Sequence, residues 1–305
     1  MKKVLAFMLA LSLAVFGMAF VVAEAEQQEK ITSGDFTYVL QEDGTVKITK
    51  YTGEEETLTI PGEIDGKKVT SIGYDAFFLC AYVKHITIPE GVTSFDDNAL
   101  AGCHGLESVT IPDSLTEVGR NPFAVCFRLK DIQVSPDHPA LELIDGVLFE
   151  KAEKRLVFFP YTLGITNYEI PKGTRVIGAN AFSNCNDLKS IIIPDSVTKI
   201  DDCAFEGCKN LKNISIPGSV TSIGKSAFFS CHSLFFITIP DGVLSLGESV
   251  FGDCKSLFTV TIPDSVTSIG KDAFYKCYVV TCTVGRGSYA QAYCEENGIE
   301  YTFAE

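Results

Sequence analysis

The chain has no excess of positive charge: 25 lysines and arginines stand against 39 aspartates and glutamates, for a formal net charge of −14. An acidic surface repels phosphate groups, which argues against nucleic acids and anionic lipids as partners. After residue 22 there is no second apolar run long enough to cross a bilayer. We therefore expect no nucleic-acid partner, and no membrane insertion once an amino-terminal signal has been removed.

Groups that could carry catalysis are also scarce. The four histidines are His85, His104, His138 and His232, and no two have metal-ligand spacing on one helix. The G-x-S-x-G pattern of serine hydrolases is absent. Residues 218–226 (GSVTSIGKS) miss the P-loop spacing by one residue and are nearly repeated at 264–272. We predict no catalytic, cofactor or metal site and no enzyme, although sequence cannot place every possible carboxylate pair.

Residues 1–25 have the pattern of a secretory signal peptide. Lys2 and Lys3 precede an apolar run over residues 4–22, and Ala23-Glu24-Ala25 matches the small-x-small cleavage rule. Cleavage before Glu26 is expected, with an uncleaved anchor as the alternative. The pattern predicts a secreted or cell-surface protein.

The rest of the chain is a repeat with a period of 23 residues. One unit, residues 188–210, reads LKSIIIPDSVTKIDDCAFEGCKN. Eight of the eleven cysteines recur at this spacing apart from one longer gap: Cys80, Cys103, Cys126, Cys185, Cys208, Cys231, Cys254 and Cys277. The unit at Leu129 has 36 residues, and its extra length contains VLFEKAEKRLVFF, residues 147–159. Two apolar runs around a polar turn predict a β-hairpin that projects from the stack.

Each column of the unit has a structural meaning. The L-x-x-I-x-I pattern predicts a short strand with apolar residues inward, and the following V-x-x-I predicts a second extended stretch. A glycine column, with aspartate at Asp96 and Asp201, predicts a positive φ. The residue before the Ala-Phe pair, or before the two residues that replace it, is Asp, Asn or Ser in seven of eight units. These are preferred helix N-caps, so AFxxC is predicted to be a capped helical turn.

The ends of the repeat array need covers, because a unit cannot bury its apolar face alone. Residues 36–51 predict a hairpin, and residues 288–298 predict a helix with Ser288 and Gln291 at capping-box spacing, followed by a last strand. The expected domains are the signal peptide (1–25), a β-hairpin cap (26–54), the repeats (55–279, with a hairpin-containing insert at about 136–164) and a carboxyl-terminal cap (280–305).

The unit LxxIxIPxxVxxIGxxAFxxC resembles the BspA-like, or Treponema-type, leucine-rich repeat, over residues 55–284. The resemblance implies a repeat solenoid: a right-handed, curved coil with a parallel β-sheet and short helical turns. It also implies an exported bacterial surface protein that binds other macromolecules, in some members as an adhesin. The alternatives are a non-catalytic scaffold or self-associating surface component, and a carbohydrate-binding accessory protein.

The cysteine ladder allows disulfide rungs by distance, since stacked strands lie ~4.8 Å apart. Because all ladder side chains point the same way into the core, we expect free, packed thiols. Cys203 is different, because it occupies the predicted N-cap column. A thiol at a helix N-terminus has a lowered pKa, so Cys203 is the candidate reactive thiol.

A candidate binding surface comes from the x positions of L-x-x-I-x-I, which face outward on the sheet, normally the concave face. Phe235, Phe236 and Phe258 cluster there, bordered by Lys189 and Lys212. Exposed aromatic clusters often mark interaction sites. We predict that this patch contacts a protein or glycan ligand. Cover by the carboxyl-terminal segment, or a homodimer contact, is the alternative.

Overall fold

A computed structural model describes residues 28–304 of the chain, so the predicted signal peptide lies outside the described residues. These residues form a β-solenoid, which confirms the predicted fold class, and the solenoid has about 11 turns. The strands up to the insert are β1 (Ile31–Ser33), β2 (Phe36–Leu40), β3 (Val46–Tyr51), β4 (Thr57–Thr59), β5 (Glu63–Ile64), β6 (Lys67–Ile72), β7 (His85–Thr87), β8 (Ser94–Phe95), β9 (Ser108–Thr110), β10 (Glu117–Val118) and β11 (Asp131–Gln133).

The insert contributes three further strands and a short 3-10 helix: β12 (Leu141–Ile144), β13 (Val147–Glu150), β14 (Arg155–Phe158) and Tyr161–Leu163. The strands that follow are β15 (Asn167–Glu169), β16 (Val176–Ile177), β17 (Ser190–Ile192), β18 (Lys199–Ile200), β19 (Asn213–Ser215), β20 (Ser222–Ile223), β21 (Phe236–Thr238), β22 (Ser245–Leu246), β23 (Thr259–Ile262), β24 (Ser268–Ile269) and β25 (Thr281–Val284). Helix α1 (Tyr289–Asn297) and strand β26 (Glu300–Phe303) complete the described chain.

Each coil, meaning one repeat unit, gives one strand to each of two parallel sheets. The L-x-x-I-x-I strands form the first face, in three segments: β4-β7-β9-β11, β15-β17-β19 and β21-β23-β25-β26. The V-x-x-I strands form the second face, which includes β6-β8-β10 and then β14-β16-β18-β20-β22-β24. Partners lie one period apart, as in Ile191 opposite Ile214. Identical columns therefore stack on one another.

The core between the two faces contains the residues that the pattern placed inward. In the unit quoted above, Leu188, Ile191, Val197, Ile200 and Phe205 are all buried. The phenylalanines of successive coils stack almost parallel, and the Phe205 and Phe228 ring centroids lie 5.3 Å apart at 5°. Burial of each such side chain contributes ~1.5–3 kcal/mol before chain entropy is counted.

The AFxxC segment is a pair of tight turns, and the helical-turn prediction is wrong. In the turn of the Cys203 coil, the Glu206 N–H donates to Cys203 O (3.0 Å) and the Cys208 N–H donates to Phe205 O (3.2 Å). All eight residues of the predicted N-cap column have φ between 52° and 61°, where an N-cap has extended backbone. Asp and Asn suit a left-handed position as well as a cap, which explains the error.

The glycine column has a different role from the predicted one. None of its residues, Asp96 and Asp201 included, has a positive φ. A Cβ added to Gly224 would lie 2.5 Å from the Asp202 nitrogen of the preceding coil, and one on Gly119 would lie 2.6 Å from the Asp96 carbonyl carbon. At Gly119 and Gly224, glycine is therefore needed because the backbones of neighbouring coils approach closely.

A second left-handed position lies directly before each ladder cysteine, and one of its occupants is unsuited to it. Val125 has a φ of 60°, whereas Asn184 occupies the equivalent position with the same φ. A β-branched residue is strained in this region. We expect Val125→Asn to raise the free energy of unfolding by about 1 kcal/mol in urea denaturation. The reverse change, Asn184→Val, should lower it by a similar amount; equal signs for the two variants would contradict this account.

The insert does not project from the stack. Strands β12, β13 and β14 pair antiparallel, and β14 then pairs parallel with β16 of the second face. All four residues of β13 are buried: Val147 and Phe149 pack into the carboxyl-terminal core, and Leu148 packs into the amino-terminal core. The insert is thus a wall between two hydrophobic cores, and its continuous apolar runs reflect burial on both sides.

Both ends of the described array are covered. The β2–β3 hairpin joins the second face through parallel pairing of β3 with β6. At the other end, the Ser288 side chain caps α1 by accepting from the Gln291 N–H, and Gly298 ends the helix with a φ of 64°. Strand β26 pairs parallel with β25 and extends the first face by one strand.

Candidate interaction surface

Three phenylalanines stand exposed on the first face of the carboxyl-terminal core. Phe235, Phe236 and Phe258 are 54%, 55% and 50% exposed. They point outward because Leu234 and Ile237 of the same coil point inward and are buried. The Phe235 and Phe258 rings stack one coil apart, with centroids 5.5 Å apart and planes at 11°. The structure therefore brings together the aromatic residues that the sequence singled out.

Lys189 and Lys212 lie in the same outward column as Phe235 and are exposed. Their backbones are adjacent, since the Lys212 N–H donates to Lys189 O at 2.9 Å. Neither ammonium group forms an ion pair within residues 28–304. Two like charges thus follow each other along the column that leads to the aromatic pair.

The same column is neutralised in the amino-terminal half. There it alternates in sign, with a Glu56–Lys84 ion pair of 2.8 Å and a Glu107–Lys130 ion pair of 2.6 Å. The hydrogen bond from Lys130 and its positive charge lower the pKa of the Glu107 carboxyl. Lys189 and Lys212 therefore lack the ion pairs that Lys84 and Lys130 form at equivalent positions of the repeat.

The first-face sheet is interrupted beside this patch. In neighbouring coils the residue after the leucine donates its N–H to the preceding coil, as Phe258 does to Phe235 O at 2.8 Å. Among the described strands, β19 and β21 form no ladder, and Phe235 makes no equivalent bond to Lys212 O. The second face is continuous at this level, through β18, β20 and β22. Lys212 and Phe235 lie on opposite sides of the interruption.

The carboxyl-terminal segment does not cover the patch. Helix α1 packs against β24, β25 and β26, beyond the aromatic strands. The three phenylalanines keep at least half of their surface exposed with this segment in place. Of the two alternatives to a ligand site, this finding removes cover by the described part of the chain and leaves contact with a second copy.

All eleven cysteines carry free thiols in the structure. The ladder thiols donate to a carbonyl of the preceding coil: Cys208 Sγ lies 3.0 Å from Phe182 O and Cys254 Sγ lies 3.0 Å from Phe228 O. Burial raises the pKa of Cys208 to about 12. The ladder therefore combines packing with a bond between coils, which the sequence did not reveal because the carbonyl belongs to another repeat.

The physical basis for a reactive Cys203 does not hold. No helix begins at this residue, and its φ is 55°. Burial and the neighbouring Glu206 raise the pKa of the Cys203 thiol to about 12, which is the opposite of the predicted direction. Cys203 is a left-handed turn residue in a column that otherwise favours Asp, Asn and Ser.

Two cysteines outside the ladder were not singled out by the sequence. Cys282 lies on β25 and Cys294 on α1, and both are fully buried. Hydrogen bonding to Cys294, together with burial, raises the pKa of the Cys282 thiol. Their separation of 12 residues has no meaning in the 23-residue period, so only the packing of α1 on the last coil brings them together.

The His232 side chain belongs to a small hydrogen-bonded cluster with Ser230 and Asp253. His232 Nε2 lies 3.0 Å from Asp253 Oδ2, and the Ser230 hydroxyl donates to that same oxygen at 3.1 Å. The hydrogen bond from His232 lowers the pKa of Asp253. Since both groups bind the carboxylate, this serine and histidine do not have the arrangement of a nucleophile and its base.

Residues 28–304 contain no group of three or more potential metal ligands. Within the same residues there is no helix with the length and apolar character of a membrane span.

Comparison with known families gives one match that covers most of the chain. The family model for the BspA type leucine rich repeat region matches residues 51–158 and 153–281, with six copies. A comparison with curated proteins gives no match.

Among solved structures, the chain is similar to a leucine rich cell surface protein from Faecalibacterium prausnitzii, with 26% identity and a TM-score of 0.55. That similarity covers 89% of this chain and 97% of the other. A leucine-rich repeat protein from Eubacterium ventriosum is 22% identical, with a TM-score of 0.60 over 84% of each chain. The pneumococcal vaccine antigen PcpA is 18% identical, with a TM-score of 0.51 over 91% of this chain and 99% of its own. The last two support the fold alone.

Proposed function

This chain belongs to the BspA-type leucine-rich repeat family, and from that premise we propose that it is an exported or cell-surface binding module that acts through macromolecular contact rather than catalysis. Leucine-rich repeat families are generally non-catalytic binding modules. The signal-peptide pattern of residues 1–25 supports export. The Faecalibacterium protein, described as a cell surface protein, supports a surface location.

The observation that carries the proposal is the aromatic patch of Phe235, Phe236 and Phe258, beside the unpaired Lys189 and Lys212. Large apolar side chains left half exposed on a rigid sheet lose little conformational entropy when a partner covers them. Aromatic anchors of this kind commonly supply most of the free energy of an interface. The patch is therefore the binding surface in this proposal, with a protein partner, as in adhesion, as the favoured case.

Self-association and glycan binding are the two alternative uses of the same patch, and the experiments below distinguish them from protein binding. Self-association would bury the patch against a second copy, and a glycan would place its apolar face on the phenyl rings. A matrix-protein panel, a glycan array and sedimentation velocity on residues 26–305 distinguish the three. A surface component without an external ligand would give self-association and no binding in either screen.

For the partner found in those screens, we expect the double variant Phe235→Ser and Phe258→Ser to weaken binding by about thirtyfold or more, because two central aromatic anchors are lost. Surface plasmon resonance with purified variants measures the change. Phe78→Ser is the matched control, since Phe78 is 53% exposed in a distant coil. Unchanged affinity of the double variant, or an equal loss in the control, would exclude the patch as the site.

A further inference from the structure

The outward column of the first face changes character along the solenoid. Before the insert it reads Glu56, Lys84, Glu107 and Lys130, and the acids neutralise the lysines. After Thr166 it reads Lys189, Lys212, Phe235 and Phe258, with no acid in the column and no ion pair on either lysine within the described residues. We name these four residues the Lys-Phe stripe. Within residues 28–304, no acidic side chain pairs with its two lysines and no segment covers its two exposed phenyl rings.

Two ammonium groups on neighbouring strands repel each other. Their strands are ~4.8 Å apart, and like charges in directly paired positions destabilise a sheet. An anionic group between them removes this repulsion, and the Phe235–Phe258 pair next to them gains by losing water. A partner complementary to the stripe is thus acidic at one end and apolar at the other.

Resting on the proposed function, we propose that the Lys-Phe stripe binds an extended peptide segment of a protein partner with the order acidic-x-acidic-x-apolar. The two carboxylates lie against Lys189 and Lys212, and the apolar side chain lies against Phe235 and Phe258.

The spacing of such a segment fits the stripe. A peptide running along the solenoid axis rises ~3.3 Å per residue, so five residues span ~13 Å, with positions one, three and five on the same side. The stripe has three steps between coils, of which two join hydrogen-bonded coils and one crosses the interruption, so at a strand spacing of ~4.8 Å it spans at least ~14 Å. The lysine side chains are long enough to compensate for the small difference between the spacing of the two carboxylates along the peptide and the spacing of the two coils.

The charge of the whole chain makes the stripe selective. At a net charge of −14, most of this surface repels an acidic peptide. The lysine end of the stripe attracts the acidic end of the segment, which fixes the direction in which the segment binds. Binding should therefore weaken as salt screens the charges.

The test uses three fluorescein-labelled peptides, Gly-Glu-Ser-Glu-Ser-Phe-Gly and versions with both glutamates replaced by glutamine or by lysine. Fluorescence anisotropy against residues 26–305 gives the affinities at low and high salt. We expect the glutamate peptide to bind about tenfold more tightly than the glutamine peptide and the lysine peptide not to bind.

Charge reversal provides the decisive variant. Lys189→Glu with Lys212→Glu should exchange the preference, so that the lysine peptide binds and the glutamate peptide does not. The control, Lys68→Glu with Lys271→Glu, makes the same change in net charge at exposed lysines outside the stripe and should keep the wild-type order. Circular dichroism checks that all variants fold.

The proposal is overturned if wild type binds none of the peptides, if it binds them equally, or if the reversed variant keeps the wild-type preference. These results leave the proposed function intact when the partner screens succeed and Phe235→Ser with Phe258→Ser still abolishes that binding. A sulfated or sialylated glycan that binds in the array, and is lost in the charge-reversed variant while the peptides fail, likewise rejects the peptide and keeps the patch.

Discussion

Replacing Phe205 with alanine is expected to lower the free energy of unfolding by about 3–5 kcal/mol. The Phe205 side chain is fully buried and lies between two parallel rings, at 5.2 Å from Phe182 and 5.3 Å from Phe228. Its loss leaves a cavity that coils fixed by hydrogen bonds on both sides cannot close. Urea denaturation followed by circular dichroism measures the change.

Phe258→Ala is the matched control for this variant, because it removes the same atoms from a half-exposed position. It should change the free energy of unfolding by less than about 1 kcal/mol. A loss below ~1 kcal/mol for Phe205→Ala would mean that the phenylalanine ladder does not hold neighbouring coils together. Because the insert separates the two cores, hydrogen exchange should locate the damage on the carboxyl-terminal side of β13.

His138→Ala is expected to destabilise the protein by about 3–5 kcal/mol, since it leaves several buried backbone groups without partners. The imidazole is fully buried: its Nε2–H donates to Pro112 O at 2.9 Å, while Nδ1 accepts from the Ala140 and Leu141 N–H groups at 3.1 and 3.0 Å. These bonds fasten the start of the insert to the preceding coil. Thermal and urea unfolding measure the loss.

The control for His138 is His85→Ala, because His85 is exposed and bonds only to the Ser108 hydroxyl. A surface substitution of this kind should stay within about 0.5 kcal/mol of wild type. Similar effects for the two histidines would show that the buried hydrogen bonds are not what stabilises the insert. No sequence pattern distinguished His138, since its partners are backbone groups that only the fold brings to it.

The repeat period was sufficient to predict which side chains form the core. Leu188, Ile191 and Phe205 could be predicted to face inward because equivalent residues of all coils share one side-chain direction. The pattern is therefore seen repeatedly along the chain rather than once. The same reasoning placed Phe235, Phe236 and Phe258 outward. Periodicity therefore predicts faces well, because it depends on side-chain direction alone.

Backbone conformation was harder to predict from the same columns. Asn180 and Asp75 suit both a helix N-cap and a left-handed turn, so composition alone did not distinguish the two. The reason for Gly224 lies in the coil before it, and the partner of the Cys208 thiol is a carbonyl 26 residues earlier. Contacts between two adjacent coils cannot be predicted from the sequence of a single repeat unit.

The apolar runs of the insert form strands, as predicted, but they do not project from the stack. The absence of alternation in residues 147–150 is typical of a strand buried on both faces rather than of a projecting hairpin. The charge contrast along the outward column was present in the sequence too. It became meaningful only when pairing placed Glu56 against Lys84 and Lys212 against Lys189.

The interruption between β19 and β21 leaves the first face less restrained than the second at this level. The two coils are joined here by the second-face strands and by turn hydrogen bonds such as that from the Phe228 N–H to Val250 O (2.9 Å), but by no ladder on the first face. At this level the continuous second-face sheet is therefore the stronger link, and the first face is the side on which the coils can separate more easily. Because Lys212 and Phe235 stand on opposite sides of this interruption, a peptide segment bound to both, as proposed, would supply the link between the two coils that the first face lacks.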